Sequence, residues 1–309
     1  MIAPPWPENK RFAFTIFDDT DSQTRENGEP VYRLLEDLGF RTTKSVWPLA
    51  ATGTPSDPGS TCADPDYRAW VQQLAGRGFE IGFHMATSHT SPRAVTLDAL
   101  EKFAGYFGRY PRTMANHYFS EEDIYFGDAR VTGFNRDVYN VLTRSRNKAK
   151  YRGHVEGDPL FWGDACKEKI RYVRNFAYAE INTLAACPWM PYHDPERPYV
   201  NRWFASTDGA TVEPFVARIS EAQQDHLEAE GGGCIMYTHF GLGYYQHGAL
   251  HSRFVELMKR LSRRNGWFVP VAAMLDYLEE KRGPVVLNPV DRSRLERRWL
   301  WHKMRYGTA

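Results

Sequence analysis

Short apolar runs alternate along this chain with longer amphipathic stretches. Phe12 to Phe17 reads as a buried strand, and Val31 to Leu38 as a helix stopped by Gly39. Thr42 to Trp47 is the next strand. A loop rich in Pro, Gly, Ser and Asp, from Thr52 to Pro65, leads to a helix over Tyr67 to Ala75. Gly76 and Gly78 end that helix before a strand at Phe79 to Phe83. Leu97, Leu100, Phe103, Ala104 and Phe107 then recur on one helical face, and a strand follows at Thr113 to Ala115. Later, Thr211 to Glu230 reads as one long helix, which Gly231 to Gly233 break ahead of a strand at Cys234 to Tyr237. Phe254 to Leu261 is helical, Trp267 to Val269 a strand, and Ala272 to Glu280 a helix. Strands alternating with helices imply parallel strands covered by helices, and about seven such units favour a closed or nearly closed α/β barrel.

Two stretches fit this rhythm less well. Residues 147 to 210 mix basic, aromatic and proline positions, which predicts an insertion or long loops around one or two strands. The end of the chain, from Asp291, is basic and aromatic (Arg292, Arg294, Arg297, Arg298, Trp299, Trp301, Lys303, Arg305). It could touch a membrane surface or a partner, or dock its tryptophans on the barrel. The expected organisation is therefore one domain over residues 1–285 and a basic aromatic tail over 286–309.

Composition narrows the function classes. Apolar residues make up 42% and charged residues 25% of the 309 positions, the balance of an ordinary folded domain. A net charge of +1 argues against a global nucleic-acid footprint. No apolar run is long enough to span a bilayer, and the proline-rich start lacks the pattern of a secretory signal, so a cytoplasmic location is expected. Cys62, Cys166, Cys187 and Cys234 form no CxxC pair, which predicts reduced thiols.

The chemistry gathers at strand ends. The first strand runs into Asp18-Asp19-Thr20-Asp21, and adjacent carboxylates there are costly to bury without a counter-charge. A divalent cation would remove that cost, and since neighbouring side chains on an extended chain diverge, one Asp could bind metal while the other handles a proton. A helix-capping turn is the alternative. The strand Phe79 to Phe83 is followed by His84 and then His89, residue types that suit zinc. The strand Cys234 to Tyr237 runs into Thr238-His239, whose imidazole could be a general acid or a further ligand. Asn116 and His117 follow the strand at Thr113 to Ala115 and are candidates for substrate binding or a place beside the metal.

This set of motifs resembles the polysaccharide deacetylases of the NodB-like family. Thr15-Ile16-Phe17-Asp18-Asp19-Thr20 is similar to that family's TFDDG, and Glu80-Ile81-Gly82-Phe83-His84 with His89 to its EIGNH and second histidine. His239 follows an apolar strand, as the family's late histidine does. The resemblance covers roughly residues 10 to 280. It implies an irregular (β/α)7 barrel and a metal-dependent hydrolase that removes acetyl groups from N- or O-acetylated sugars or glycan precursors. By motif position, Asp18 would be the catalytic base, Asp19, His84 and His89 the ligands of a divalent metal, most simply zinc, and His239 the acid that protonates the leaving group.

The chain also departs from the family pattern. His84 and His89 are five apart rather than four, about 140° around a regular helix, so a bulge or irregular loop is required for both to reach one ion. The family's Arg motif, which orients the catalytic Asp, is replaced by Met114-Ala115-Asn116-His117. Trp189 is the only loose candidate for the family's cleft-lining aromatic, and a structural loop residue is its alternative. Two other functions stay open: a carbohydrate-binding or scaffold protein that keeps the barrel, and another amide hydrolysis, such as that of a cyclic amide, on the same metal.

Overall fold

A computed structural model describes residues 5–52 and 57–307, so part of the loop expected between Thr52 and Pro65 lies outside the described residues. Seven strands form the barrel: β1 (Phe12–Asp18), β2 (Thr43–Val46), β3 (Glu80–Phe83), β4 (Thr113–Met114), β5 (Tyr172–Tyr178), β6 (Arg202–Asp208) and β7 (Gly233–Thr238). Each is parallel to the next. β7 returns to β1 in an unbroken register from Ala13↔Gly233 to Asp18↔Thr238, which closes the ring. The expected (β/α)7 barrel is therefore present. Its irregularity lies in the two-residue β4 and in a register shift between Arg174 and Ala177 where β5 meets β6. The short strand Gly266–Trp267 adds to the start of β1, and Tyr192–His193 runs antiparallel to β6.

Parallel strands covered by helices on their outer side read as continuous apolar runs, and β1 and β7 are buried along their whole length. The helices start where side chains can cap them. Thr24 and Asn27 exchange hydrogen bonds in a capping box ahead of Arg25–Asp37, and Asp64 caps Pro65–Gly76. The segment 211–230 forms two helices, Val212–Arg218 and Glu221–Ala229, rather than one, because the chain breaks at Ile219 and Ser220. All four cysteines are free and buried. Among the described residues no helix is long and apolar enough to cross a membrane.

The stretch 147–210, expected as an insertion or long loops around one or two strands, supplies two strands of the barrel, β5 and β6. The sequence hides β5 because Arg174 and Asn175 interrupt its apolar run, and both line the cavity at the barrel mouth. The basic aromatic tail is likewise built in. Pro289–Tyr306 is one helix, started by the Asn288 side chain accepting from the Asp291 amide at 2.9 Å. Trp299 is fully buried, stacked on Tyr139 at 5.6 Å and against Phe176 of β5 at 5.1 Å. Buried Glu296 accepts from the Thr132 amide, Asn135 and Arg197.

The end of this helix is tied to the barrel through Glu180, which accepts from Arg298 at 2.7 Å and from His302 Nε2 at 3.1 Å. Burial favours the neutral form of this carboxyl, but His302 and Arg298 outweigh it and bring the pKa down to about 2. A depressed acid contributes stability above its unfolded value near 4.3, and that contribution is lost as pH falls toward 2. Glu180→Gln should speed amide exchange in the last turns of the helix roughly fivefold at neutral pH, the scale of a half-exposed ion pair. In the unsubstituted protein the same turns should loosen between about pH 4 and 2.

Candidate metal centre

Because the seven strands run the same way, their carboxyl ends share one rim, the edge where such barrels gather their sites. A cavity of ≈ 320 Å³ opens there, and Asp19, Asp21, His84, Asn116, His117, Arg174, Tyr237 and His239 are among its lining residues. Three of them converge. His84 Nε2 lies 2.9 Å from Asp21 Oδ2, and His117 Nε2 lies 2.8 Å from Asp21 Oδ1. Yet His84 Nε2, His117 Nε2 and Asp21 Oδ2 are buried without a hydrogen bond, since none of these close approaches is aligned as one. Buried ligand atoms gathered together without hydrogen bonds are what a metal ion would satisfy, and one such atom from each of the three residues lies within 4.8 Å of the others.

The backbone explains how they meet. Asp19 and Asp21 follow β1 two residues apart, the spacing that returns an extended chain to one side. His84 follows β3 directly, and the buried Met85 then takes φ 65, a left-handed turn that costs a β-carbon residue about 1–2 kcal/mol. That turn carries the chain away from the cavity, and no helix forms before Arg93. His117 follows β4 in a loop pinned by Asn116, whose amide exchanges two hydrogen bonds with the Ile124 backbone. Trp47 packs on both imidazoles, at 6.0 Å from His84 and 5.4 Å from His117.

The charges lock together. Burial opposes ionisation of Asp21, but His84, His117 and His239 outweigh it and hold its carboxyl well below the usual range. Burial likewise opposes the His84 imidazolium, while Asp19 and Asp21 more than compensate and raise its pKa. Asp19 is gripped by Arg174 of β5 through two bonds of 2.9 and 2.5 Å. The Arg174 guanidinium lies over the Tyr237 ring at 4.1 Å. His239 is fixed by its Nδ1 against the Ala210 carbonyl at 2.7 Å. Its Nε2 then faces the Tyr237 hydroxyl at 3.4 Å, Asp21 at 3.5 Å and Asp19 at 3.9 Å.

Asp18 does not reach this cavity. It is fully buried on the other side of the strand end, where its carboxylate accepts from the Phe240 amide at 2.8 Å, Tyr32 at 2.7 Å and Gln23 at 3.0 Å. Lys44 lies 3.9 Å away. Burial raises its pKa despite these partners. His89 is also elsewhere: its ring nitrogens face Thr87 at 2.7 Å and Thr52 at 3.2 Å. Trp189 packs half-buried against the core, away from the cavity, and Asn116 lines the cavity with its amide already committed to Ile124. So the structure assembles Asp19, His84, His117 and His239 from the sequence candidates, adds Asp21, Arg174 and Tyr237, and leaves Asp18, His89 and Trp189 apart. Asp21 had a legible signal in its two-residue spacing from Asp19. Arg174 had one in being a charge inside an otherwise apolar strand.

No family model matches the sequence, and no curated protein resembles it in sequence at a significant level. Solved structures do share the fold. The PuuE allantoinase superposes with a TM-score of 0.51 at 12% identity, over 91% of this chain and 95% of its own. A protein assigned as a polysaccharide deacetylase from Mycobacterium smegmatis gives 0.50 at 11% identity, over 93% and 98%. Another so assigned, from Pseudomonas aeruginosa PAO1, gives 0.50 at 12%, over 90% and 95%. The chain thus shares the barrel fold of these structures at identities of 11–12%.

Proposed function

We propose that the protein is a metal-dependent hydrolase that deacetylates an N- or O-acetylated sugar or glycan precursor in the cytoplasm. The observation that carries this reading is the convergence of unbonded Nε2 atoms of His84 and His117 on Asp21, beside His239. Asp21, His84 and His117 would hold the cation, and two imidazoles with one carboxylate are a donor set suited to zinc. When bound, such an ion supplies Lewis acidity that polarises an acyl carbonyl and acidifies water.

The remaining residues divide the proton work. Asp19, rather than the sealed Asp18, is the base we assign, because it borders the cavity and Arg174 fixes both its oxygens. His239 presents Nε2 to the cavity because Nδ1 is engaged by Ala210, so Nε2 is the atom that passes a proton to the departing amine or alkoxide. Arg174 takes the orienting role that the missing Arg motif would fill, from a different strand. A scaffold function is disfavoured by two buried carboxylates and an unsatisfied imidazole pair, which have no evident structural use.

Protein stripped with a chelator should release no acetate from a panel of N- and O-acetylated sugars, and one equivalent of zinc should restore release. Absence of acetate from every member of the panel by fully loaded protein would remove the deacetylase reading. Ring opening of a cyclic amide by that same sample would move the assignment to amide hydrolysis of the allantoinase kind.

A further inference from the structure

The carboxylates of the cavity are all committed, Asp19 to Arg174 and Asp21 to the imidazoles, and Arg130 is a cation of the cavity that they do not pair. Arg130 lines the same cavity with only 8% of its surface exposed, and among the described residues its guanidinium has no carboxylate or hydrogen-bond partner. It is held by rings instead, 3.8 Å from the centre of Phe126 and 5.4 Å from that of Trp299. Aromatic faces orient a guanidinium without neutralising it. Burial, first of all, lowers its pKa to about 10, with Arg174 adding to the effect. Lys303, from the docked C-terminal helix, lines the cavity too, and burial together with Arg130 brings its pKa to about 8. Beyond Lys303 and Asn147 a shallower depression continues past Arg144 and Arg146.

A buried, oriented, uncompensated cation in a substrate-sized cavity is a binding site waiting for a counter-charge. We propose that the substrate carries an oxyanion, a phosphoryl or a carboxylate group, that binds Arg130 with Lys303 beside it. This rests on reading the cavity as the site of a sugar-processing hydrolase, and it makes the C-terminal helix a part of that site. The sugar is then an anionic one, and neutral acetylated glycans are poor ligands.

Calorimetry on the zinc-loaded protein with three probes tests this: methyl N-acetylglucosaminide, N-acetylglucosamine 1-phosphate and N-acetylglucosaminuronic acid. At least one charged probe should bind about tenfold or more tighter than the neutral one, and which one distinguishes phosphoryl from carboxylate. Arg130→Gln should erase that advantage while leaving the affinity for the neutral probe unchanged. Lys303→Gln, at a half-buried position, should reduce it roughly threefold and decides the matter if Arg130→Gln does not fold. Equal affinity for all three probes overturns the proposal. So does a charge preference that survives both substitutions, since it would then belong to the metal centre. Binding is read without turnover, so a tightly held probe that yields no acetate counts against the deacetylase reading and leaves the anion site standing.

Discussion

Asp21→Asn is expected to lower zinc affinity by at least about a hundredfold and acetyl hydrolysis by about a thousandfold, with the barrel intact. The carboxylate bridges the two imidazoles, with its two oxygens 2.9 and 2.8 Å from their Nε2 atoms, and an amide can offer only one neutral oxygen in that place. Metal content after dialysis against graded chelator, measured beside acetate release, checks both halves. The competing assignment, by motif position, makes Asp18 the base and Asp19 a ligand. It predicts that Asp19→Asn empties the site and Asp21→Asn does not, and that outcome would sink the set of Asp21, His84 and His117.

Asp18→Asn separates the readings a second time. It removes the charge facing buried Lys44 and should cost about 3–5 kcal/mol of stability, while leaving metal stoichiometry unchanged. The metal-free protein also has a pH signature. His84 carries a raised pKa, so its contribution is complete below about pH 6.5 and is lost as pH rises through the higher folded value. Asp21 carries a depressed one, so its contribution is present above about pH 4 and is lost as pH falls. The stripped protein should therefore be most resistant to urea between those limits. Loading with zinc should abolish the alkaline decline, because the cation then supplies beside Asp21 the positive charge that the His84 proton supplied.

The barrel was legible because its strands are apolar throughout and its helices carry their own caps, signals that survive without tertiary context. Where the barrel needed polar residues on its inner side, legibility failed. Arg174 and Asn175 disguise β5, so the stretch 147–210 showed one or two strands without showing where they lie. The site was legible as a place, the carboxyl rim, but not as a set of partners. The sequence shows that Asp18, Asp19 and Asp21 leave β1 together, yet which of them faces the cavity depends on how the strand is seated. That seating is decided by groups far away in the chain: Tyr32, Lys44 and the Phe240 amide take Asp18, and Arg174 takes Asp19. His89 was named a ligand by its place in the motif after His84, although its five-residue spacing demanded an irregular loop. The positive φ at Met85, which sends the chain elsewhere, is not visible in a sequence. His117 was legible as a place beside the metal or the substrate but not as a neighbour of Asp21, which is 96 positions earlier and meets it only where the closed barrel brings the ends of β1 and β4 together.

Arg174→Met should reduce kcat by two to three orders of magnitude with KM nearly unchanged, and should cost about 3–5 kcal/mol of stability. Asp19 is almost completely buried, and the two bonds from Arg174 are what hold both its oxygens in place. Without them the carboxylate's remaining ion-pair neighbours among the described residues are His84 at 3.8 Å and His239 at 3.9 Å, neither within hydrogen-bond reach, and it will swing toward one of them. A base displaced by about an ångström loses about a hundredfold, whereas substrate contacts elsewhere in the cavity are untouched. Arg174→Lys distinguishes orientation from charge. A lysine ammonium restores the counter-charge, so most of the stability should return. It cannot form the planar fork over Tyr237, so kcat should stay below about a tenth of the original. If the lysine variant recovers full kcat, Arg174 neutralises Asp19 without orienting it. If Arg174→Met leaves kcat intact while destabilising the fold, the base is not Asp19, and the proton work at this rim must fall to His239 alone.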